Sequence, residues 1–227
     1  MTIQKSAKIL SNLLSGNDRY VTQHQHKYFE NFQNSQTPDI TLLTCSDSRV
    51  QLDLFTSDAT NRVFVVRNIG NQLLGSFGSV DYGVKHLHTP LLLILGHVHC
   101  GAVKAALSDY GEEEFDIIRE LDHLSIPLRH IKHPDFSPEE VWSEGIETNI
   151  DYQVALAMKK YKAEIDVGEL TVVGAIDDFT NCYKAGEGRL IVVNINNETD
   201  PDKICNHPVL AGISDILKQS HIARLTT

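Results

Sequence analysis

Pro90-Leu91-Leu92-Leu93-Ile94-Leu95-Gly96-His97-Val98-His99-Cys100-Gly101 is the stretch that decides the fold. Its first six residues are apolar, with no polar alternation, as expected of a short strand covered on both faces. Gly96 predicts the strand's end. His97 and Cys100 then fall in the turn before a helical pattern, Ala102 to Leu107. The same order recurs upstream, where the β-branched run Ile40 to Thr44 leads into Cys45-Ser46-Asp47-Ser48-Arg49.

Three more short apolar runs, Val63 to Val66, Leu170 to Val173 and Leu190 to Val193, complete five strand candidates. Helical patterns fall at Ser6 to Val21, Val80 to Leu87, Glu113 to Ile131, Pro138 to Tyr161 and Leu210 to Lys218. Ser137, Pro138 and Glu140 form a start signal, with a capping hydroxyl, a proline in the first turn and the acid of a capping box. Alternating strands and helices predict an α/β fold with a central, mostly parallel β-sheet of four to five strands flanked by helices. No Pro- or Gly-rich linker or internal repeat divides the 227 residues. The expected organisation is one domain over 1–227 with an N-terminal helical arm.

A formal charge of −10 argues against nucleic acid as a partner, because phosphate binding needs a basic face. The longest apolar run is too short to span a bilayer. No uninterrupted apolar leader follows Met1, so a cytoplasmic location is expected. In a reducing compartment the four cysteines read as metal or catalytic groups rather than disulfides.

In an open α/β sheet, ligands gather beyond the carboxyl ends of the strands, so the two motifs should meet there. Two thiols and an imidazole are a donor set suited to zinc. His97 is preferred to His99 on its spacing from Cys100. A helix starting beside Cys100 would favour its thiolate. Three ligands leave a position for chemistry; a closed structural site would need a fourth, from Cys182, Cys205 or His207. Asp47 and Arg49 fit a paired acid and base. The Arg would keep Asp47 ionised and oriented, and without it Asp47 could swing in as a fourth ligand.

With these motifs in view the chain resembles the β-class carbonic anhydrases along nearly its whole length. Leu13 to Tyr20, Cys45 to Arg49, Phe64 to Asn71, Gly96 to Ala102 and Gly174 to Asp178 carry the resemblance. It implies one zinc per chain on Cys45, His97 and Cys100, with Asp47–Arg49 as the catalytic dyad. It further implies a substrate pocket of Gln36, Phe64, Ile69, Tyr82 and a backbone donor at Gly101. The pocket would lie at a subunit interface, so a homodimer or dimer of dimers is expected. The implied reaction is reversible hydration of carbon dioxide to bicarbonate and a proton, by attack of zinc-bound hydroxide oriented by the dyad. One subgroup of the family has a bicarbonate-closed state built on a Trp–Arg–Tyr triad. Here those positions are Leu42, Arg67 and Asp177, so the open arrangement is expected. Hydrolysis of carbonyl sulfide or carbon disulfide on the same site, and a non-catalytic zinc-stabilised scaffold, are the competing readings. The intact first motif favours carbon dioxide over both. No role is assigned to Asp109 to His133.

Overall fold

The structure, a computed structural model, describes residues 2–24, 26–131 and 137–225. The chain forms two compact units, Met1–Thr37 and Pro38–Thr227. The first holds α1 (Thr2–Gln23) and α2 (His26–Glu30). Ile3, Leu10, Leu14 and Val21 recur at helical spacing along α1, yet no residue of that helix is buried. At its end the Tyr20 and His24 rings stack with centroids 4.2 Å apart, and Tyr28, Phe29 and Phe32 pack edge to face.

The second unit runs β1 (Ile40–Cys45), β2 (Val63–Asn68), α3 (Phe77–Asp81), β3 (Leu91–His97), α4 (Gly101–Ala106), α5 (Phe115–Leu128), α6 (Pro138–Lys160), α7 (Lys162–Asp166), β4 (Thr171–Asp178), β5 (Arg189–Ile195), α8 (Pro201–Cys205) and α9 (Asp215–His221). The sheet order is β2-β1-β3-β4-β5; all neighbours are parallel except β4 and β5. This is the expected mostly parallel sheet. Among the described residues, no helix is long and apolar enough to cross a membrane.

β3 is central, and its leucines serve two faces. Leu92 and Ile94 join a core with Leu121 and Leu124 of α5 and Ile146, Ile150 and Val154 of α6. Leu93 and Leu95 join a smaller cluster with Leu42, Val50 and Ala175. On that second face Val63, Val65, Val173 and Leu190 are only partly buried. Both faces are covered, as the continuous apolar runs suggested, but unequally.

α6 starts as expected, with reciprocal bonds between Ser137 and Glu140 and with Pro138 in its first turn. It lies across β3 and β4 at two glycines. A Cβ at Gly174 would stand 2.5 Å from Ile150 Cγ2, and one at Gly96 would stand 3.0 Å from Ile150 Cδ1. This corrects the reading of Gly96 as a strand end: β3 continues through it to His97, and the glycine makes room for α6. Cys45 is likewise the last residue of β1 rather than the residue after it.

Other boundaries shift for local reasons. The pattern at Val80 to Leu87 is α3 followed by a π-helical turn, Tyr82–His86. That turn presses on β1, where a Cβ at Gly83 would meet Thr41 Oγ1. The closing helix begins at Asp215 rather than Leu210, because the Ser214 side chain accepts from Leu217 N and caps it there. Of the stretch 109–133, α5 supplies the buried Leu121, Leu124 and Leu128; 132 and 133 lie outside the described residues.

Arg224 and Leu225 are held by an ion network around a buried carboxylate. Glu147 of α6, fully buried, accepts from Tyr183 Oη at 2.7 Å and from Leu225 N at 2.8 Å. Arg224 lies 3.5 Å from Glu147 and 2.8 Å from Asp151. Removing one member of a buried ion pair strands the other's charge. Arg224→Ala is expected to cost about 3–5 kcal/mol of stability, measured by urea unfolding. A loss below about 1 kcal/mol, the value of an exposed pair, would show that solvent reaches Glu147.

Candidate metal centre and active site

β1 and β3 run parallel with Thr44 level with Leu95, so Cys45 and His97 emerge at the same carboxyl edge. A turn through His99, at φ +54°, brings Cys100 to the N-cap of α4. The ligand-capable atoms of Cys45, His97 and Cys100 lie within 4.8 Å of one another. All three residues are buried, at 5%, 0% and 1% exposure.

His97 is oriented for coordination. Its Nδ1 lies 2.9 Å from the Val98 carbonyl, which can only accept, so Nδ1 carries the proton and Nε2 the lone pair. Nε2 is buried and has no hydrogen-bond partner among the described residues. Buried polar atoms are normally satisfied, so an orphan facing two thiols points to a cation. With two sulfurs and one imidazole, the three residues fit zinc. They form a candidate metal-binding group. Cys182, Cys205 and His207 are not part of it.

The thiols polarise each other. The Cys100 hydrogen bond, aided by His97 and the amides of Gly70 and Asp47, lowers the Cys45 pKa to about 4 against the effect of burial. The Cys45 bond and burial push Cys100 up instead, outweighing the amides of Ala102 and Val103. The helix start thus acts on Cys100 in the expected direction and is overridden by a neighbouring thiolate. A cation relieves that repulsion and favours both thiolates.

Asp47 and Arg49 are paired by two parallel bonds, Nε to Oδ1 at 2.9 Å and Nη2 to Oδ2 at 2.7 Å. Hydrogen bonds from the Arg49 side chain hold the Asp47 carboxyl well below the usual carboxylate range. Arg49 also donates to the His99 carbonyl at 3.1 Å, tying the first motif to the second. Asp47 Oδ2 stands 3.8 Å from His97 Nε2.

Residues 40–184, well over half of the chain, match the family described as carbonic anhydrase. The chain belongs to the carbonic anhydrase family. A carbonic anhydrase of Synechococcus elongatus is 25% identical over 85% of this chain and 73% of its own length. One from Mycolicibacterium smegmatis is 35% identical over 48% of this chain and 57% of its own length. Among solved structures, the Coccomyxa β-carbonic anhydrase in complex with acetazolamide superposes with a TM-score of 0.71 at 25% identity. That match covers 87% of this chain and 91% of the other. The sheet and its helices have the β-class carbonic anhydrase fold.

Not all residues that the carbonic anhydrase resemblance suggested lie together. Ile69 is beside Gly70, whose N–H donates to Cys45 Sγ at 3.4 Å, so it borders the metal group. Gly101 opens α4 next to Cys100. Phe64 and Tyr82 stack on each other with centroids 5.7 Å apart, but Phe64 pairs with Thr41, four residues before Cys45 on β1. At about 3.3 Å per residue that is some 13 Å along the strand. Gln36 is an exposed residue of the first unit.

Several contacts at the carbonic anhydrase centre escaped the sequence reading. The Phe179 ring lies under the Arg49 guanidinium at 4.8 Å and faces the His97 ring at 6.0 Å. Asp177, opposite His97 in the β3–β4 register, lines a cleft with Arg49 and Phe179, and burial raises its carboxyl. Trp142 Nε1 donates to the Cys100 carbonyl at 2.9 Å, and its ring stacks on His99 at 4.8 Å. His99 itself reaches Glu139, away from the thiols. Arg67 donates to the carbonyls of Cys45 and Val50, a brace for the first motif. Arg67 and Asp177 stand at two positions of the triad named above, and His99 is the imidazole set aside for His97; their contacts here, like those of Trp142 and Phe179, join residues distant in sequence.

Proposed function

We propose that this chain catalyses the reversible hydration of carbon dioxide to bicarbonate, with zinc held by Cys45, His97 and Cys100. The observation that carries the proposal is the buried His97 Nε2, without a hydrogen-bond partner among the described residues and facing two thiols, with the Asp47–Arg49 pair alongside. When bound, zinc supplies Lewis acidity that lowers the pKa of a water toward about 7.

The chain supplies orientation and charge. Asp47, ionised and clamped by Arg49, accepts a hydrogen bond from the attacking water and aims its lone pair. The Gly101 amide donates to the carboxylate oxygen as charge grows there. Carbon dioxide carries no charge and asks for an apolar wall, which Phe64, Ile69 and Tyr82 provide. Since Phe64 and Tyr82 are remote from their own chain's Cys45, they serve the site of a second copy. The homodimer, alone or paired, is supported by the uncovered apolar side of α1 and the thinly covered second sheet face. Pro38–Thr227 is then the catalytic domain and Met1–Thr37 its arm. Four free cysteines support a reducing, cytoplasmic location.

The deciding experiment is stopped-flow carbon dioxide hydration from about pH 6.5 to 9, spanning the range of zinc-activated water, with zinc content measured on the same sample. Two thiolates neutralise the cation's charge, so turnover is expected to rise toward alkaline pH. Full zinc content without turnover at any pH would overturn the proposal.

A further inference from the structure

α6 places two amides where its neighbours are apolar. Asn149 and Gln153 are each 1% exposed, on a helix whose Ile146, Ile150, Val154 and Ala157 are core residues. Burying an amide costs free energy unless its hydrogen bonds are made. Here they are made to one short turn. Asn149 Nδ2 donates to the Gly70 carbonyl at 3.0 Å. Gln153 Oε1 accepts from Leu73 N at 2.8 Å, and its Nε2 donates to Asn149 Oδ1 at 3.0 Å. Both ends of the turn 70–73 are thereby tied to the helix.

The turn needs such restraint. Gly70 and Asn71 have φ of +76° and +48°. Leu124 fills the space beside Gly70, 2.6 Å from where a Cβ would stand. Asn68 closes the other side, accepting from Gln72 N at 2.7 Å and donating to Gln72 O at 2.6 Å. This shape presents the Gly70 N–H to the proposed active site, 3.4 Å from Cys45 Sγ.

We propose that Asn149 and Gln153 are positioning residues of the metal centre. By fixing the Gly70 carbonyl and the Leu73 amide they aim the Gly70 N–H at the Cys45 sulfur. That bond orients the thiolate and limits the charge it gives to the metal. The inference rests on Cys45 being a ligand, as proposed above. Outer-shell partners of this kind typically change metal affinity by about 10–100-fold.

The test loads the full chain with the spin-active isotope of cadmium, a soft cation that thiolates accept, and records proton–cadmium correlations. Correlations are expected to the Cys45 β-protons and, across the N–H···S bond, to the Gly70 amide proton. In Asn149→Ser the Gly70 correlation should vanish while Cys45 remains, and chelator competition should show zinc held about 10–100-fold more weakly. A wild-type spectrum with Cys45 but without Gly70 overturns this inference and leaves the ligand assignment standing. A spectrum without Cys45 overturns both. A folded Asn149→Ser protein with the Gly70 correlation and unchanged zinc affinity also overturns it. Should that variant not fold, the wild-type spectrum decides.

Discussion

Cys100→Ser is expected to abolish zinc retention and, with it, carbon dioxide hydration. The substitution replaces a soft sulfur by a hydroxyl that stays protonated near neutral pH, leaving two ligands where three converge. Losing an outer-shell partner alone costs up to about 10²-fold in affinity, so losing a ligand should cost at least that. The fold should survive, because Cys100 is the N-cap of α4 and serine suits that position. Zinc content after dialysis against a chelator, with far-ultraviolet dichroism as the folding control, reads both effects. Wild-type zinc retention in a folded Cys100→Ser protein would remove Cys100 from the metal centre.

Arg49→Ala is expected to lower kcat/KM by about 10²–10³-fold, within the range of positioned proton-transfer groups, while zinc stays bound. The cause is position rather than charge. Freed of Arg49, the Asp47 carboxyl rises toward its ordinary pKa of about 3.9 and is still ionised at pH 7. What is lost is the two-point clamp. The carboxylate, with Oδ2 3.8 Å from His97 Nε2, is then free to turn onto the metal. Arg49→Lys should recover only part of the rate, since an ammonium cannot make the two parallel bonds. The same depressed pKa places the protonation of Asp47 in strong acid, with its pairing intact above that range and lost below it. Any activity lost between about pH 9 and 6.5 therefore belongs to another group. Full activity in Arg49→Ala would show that the clamp does not matter.

The parts of this design that depend on local order were legible in the sequence. The buried strands show as unbroken apolar runs, and the Ser137–Glu140 start shows as its own motif. Cys45, His97 and Cys100 could be placed together because parallel strands share a carboxyl edge. What could not be read depends on partners far along the chain. Gly96 resembles a breaker until Ile150 is seen against it. Asn149 and Gln153 look like polar breaks in a helix face until Gly70 and Leu73 supply their bonds. Phe179 carries no signal at all, since its meaning comes from Arg49, more than half the chain away. Phe64 and Tyr82 were legible as apolar residues but not as distant from their own Cys45, which only the strand register reveals.

The indole bonded to the Cys100 carbonyl is the only tryptophan in the sequence. The protein therefore carries an optical gauge on the backbone of its proposed active site. Its emission comes from one ring, stacked on His99 and bonded to the backbone of a proposed metal ligand. Loading or loss of the ion is therefore expected to change that emission, a signal read in unlabelled protein and without substrate.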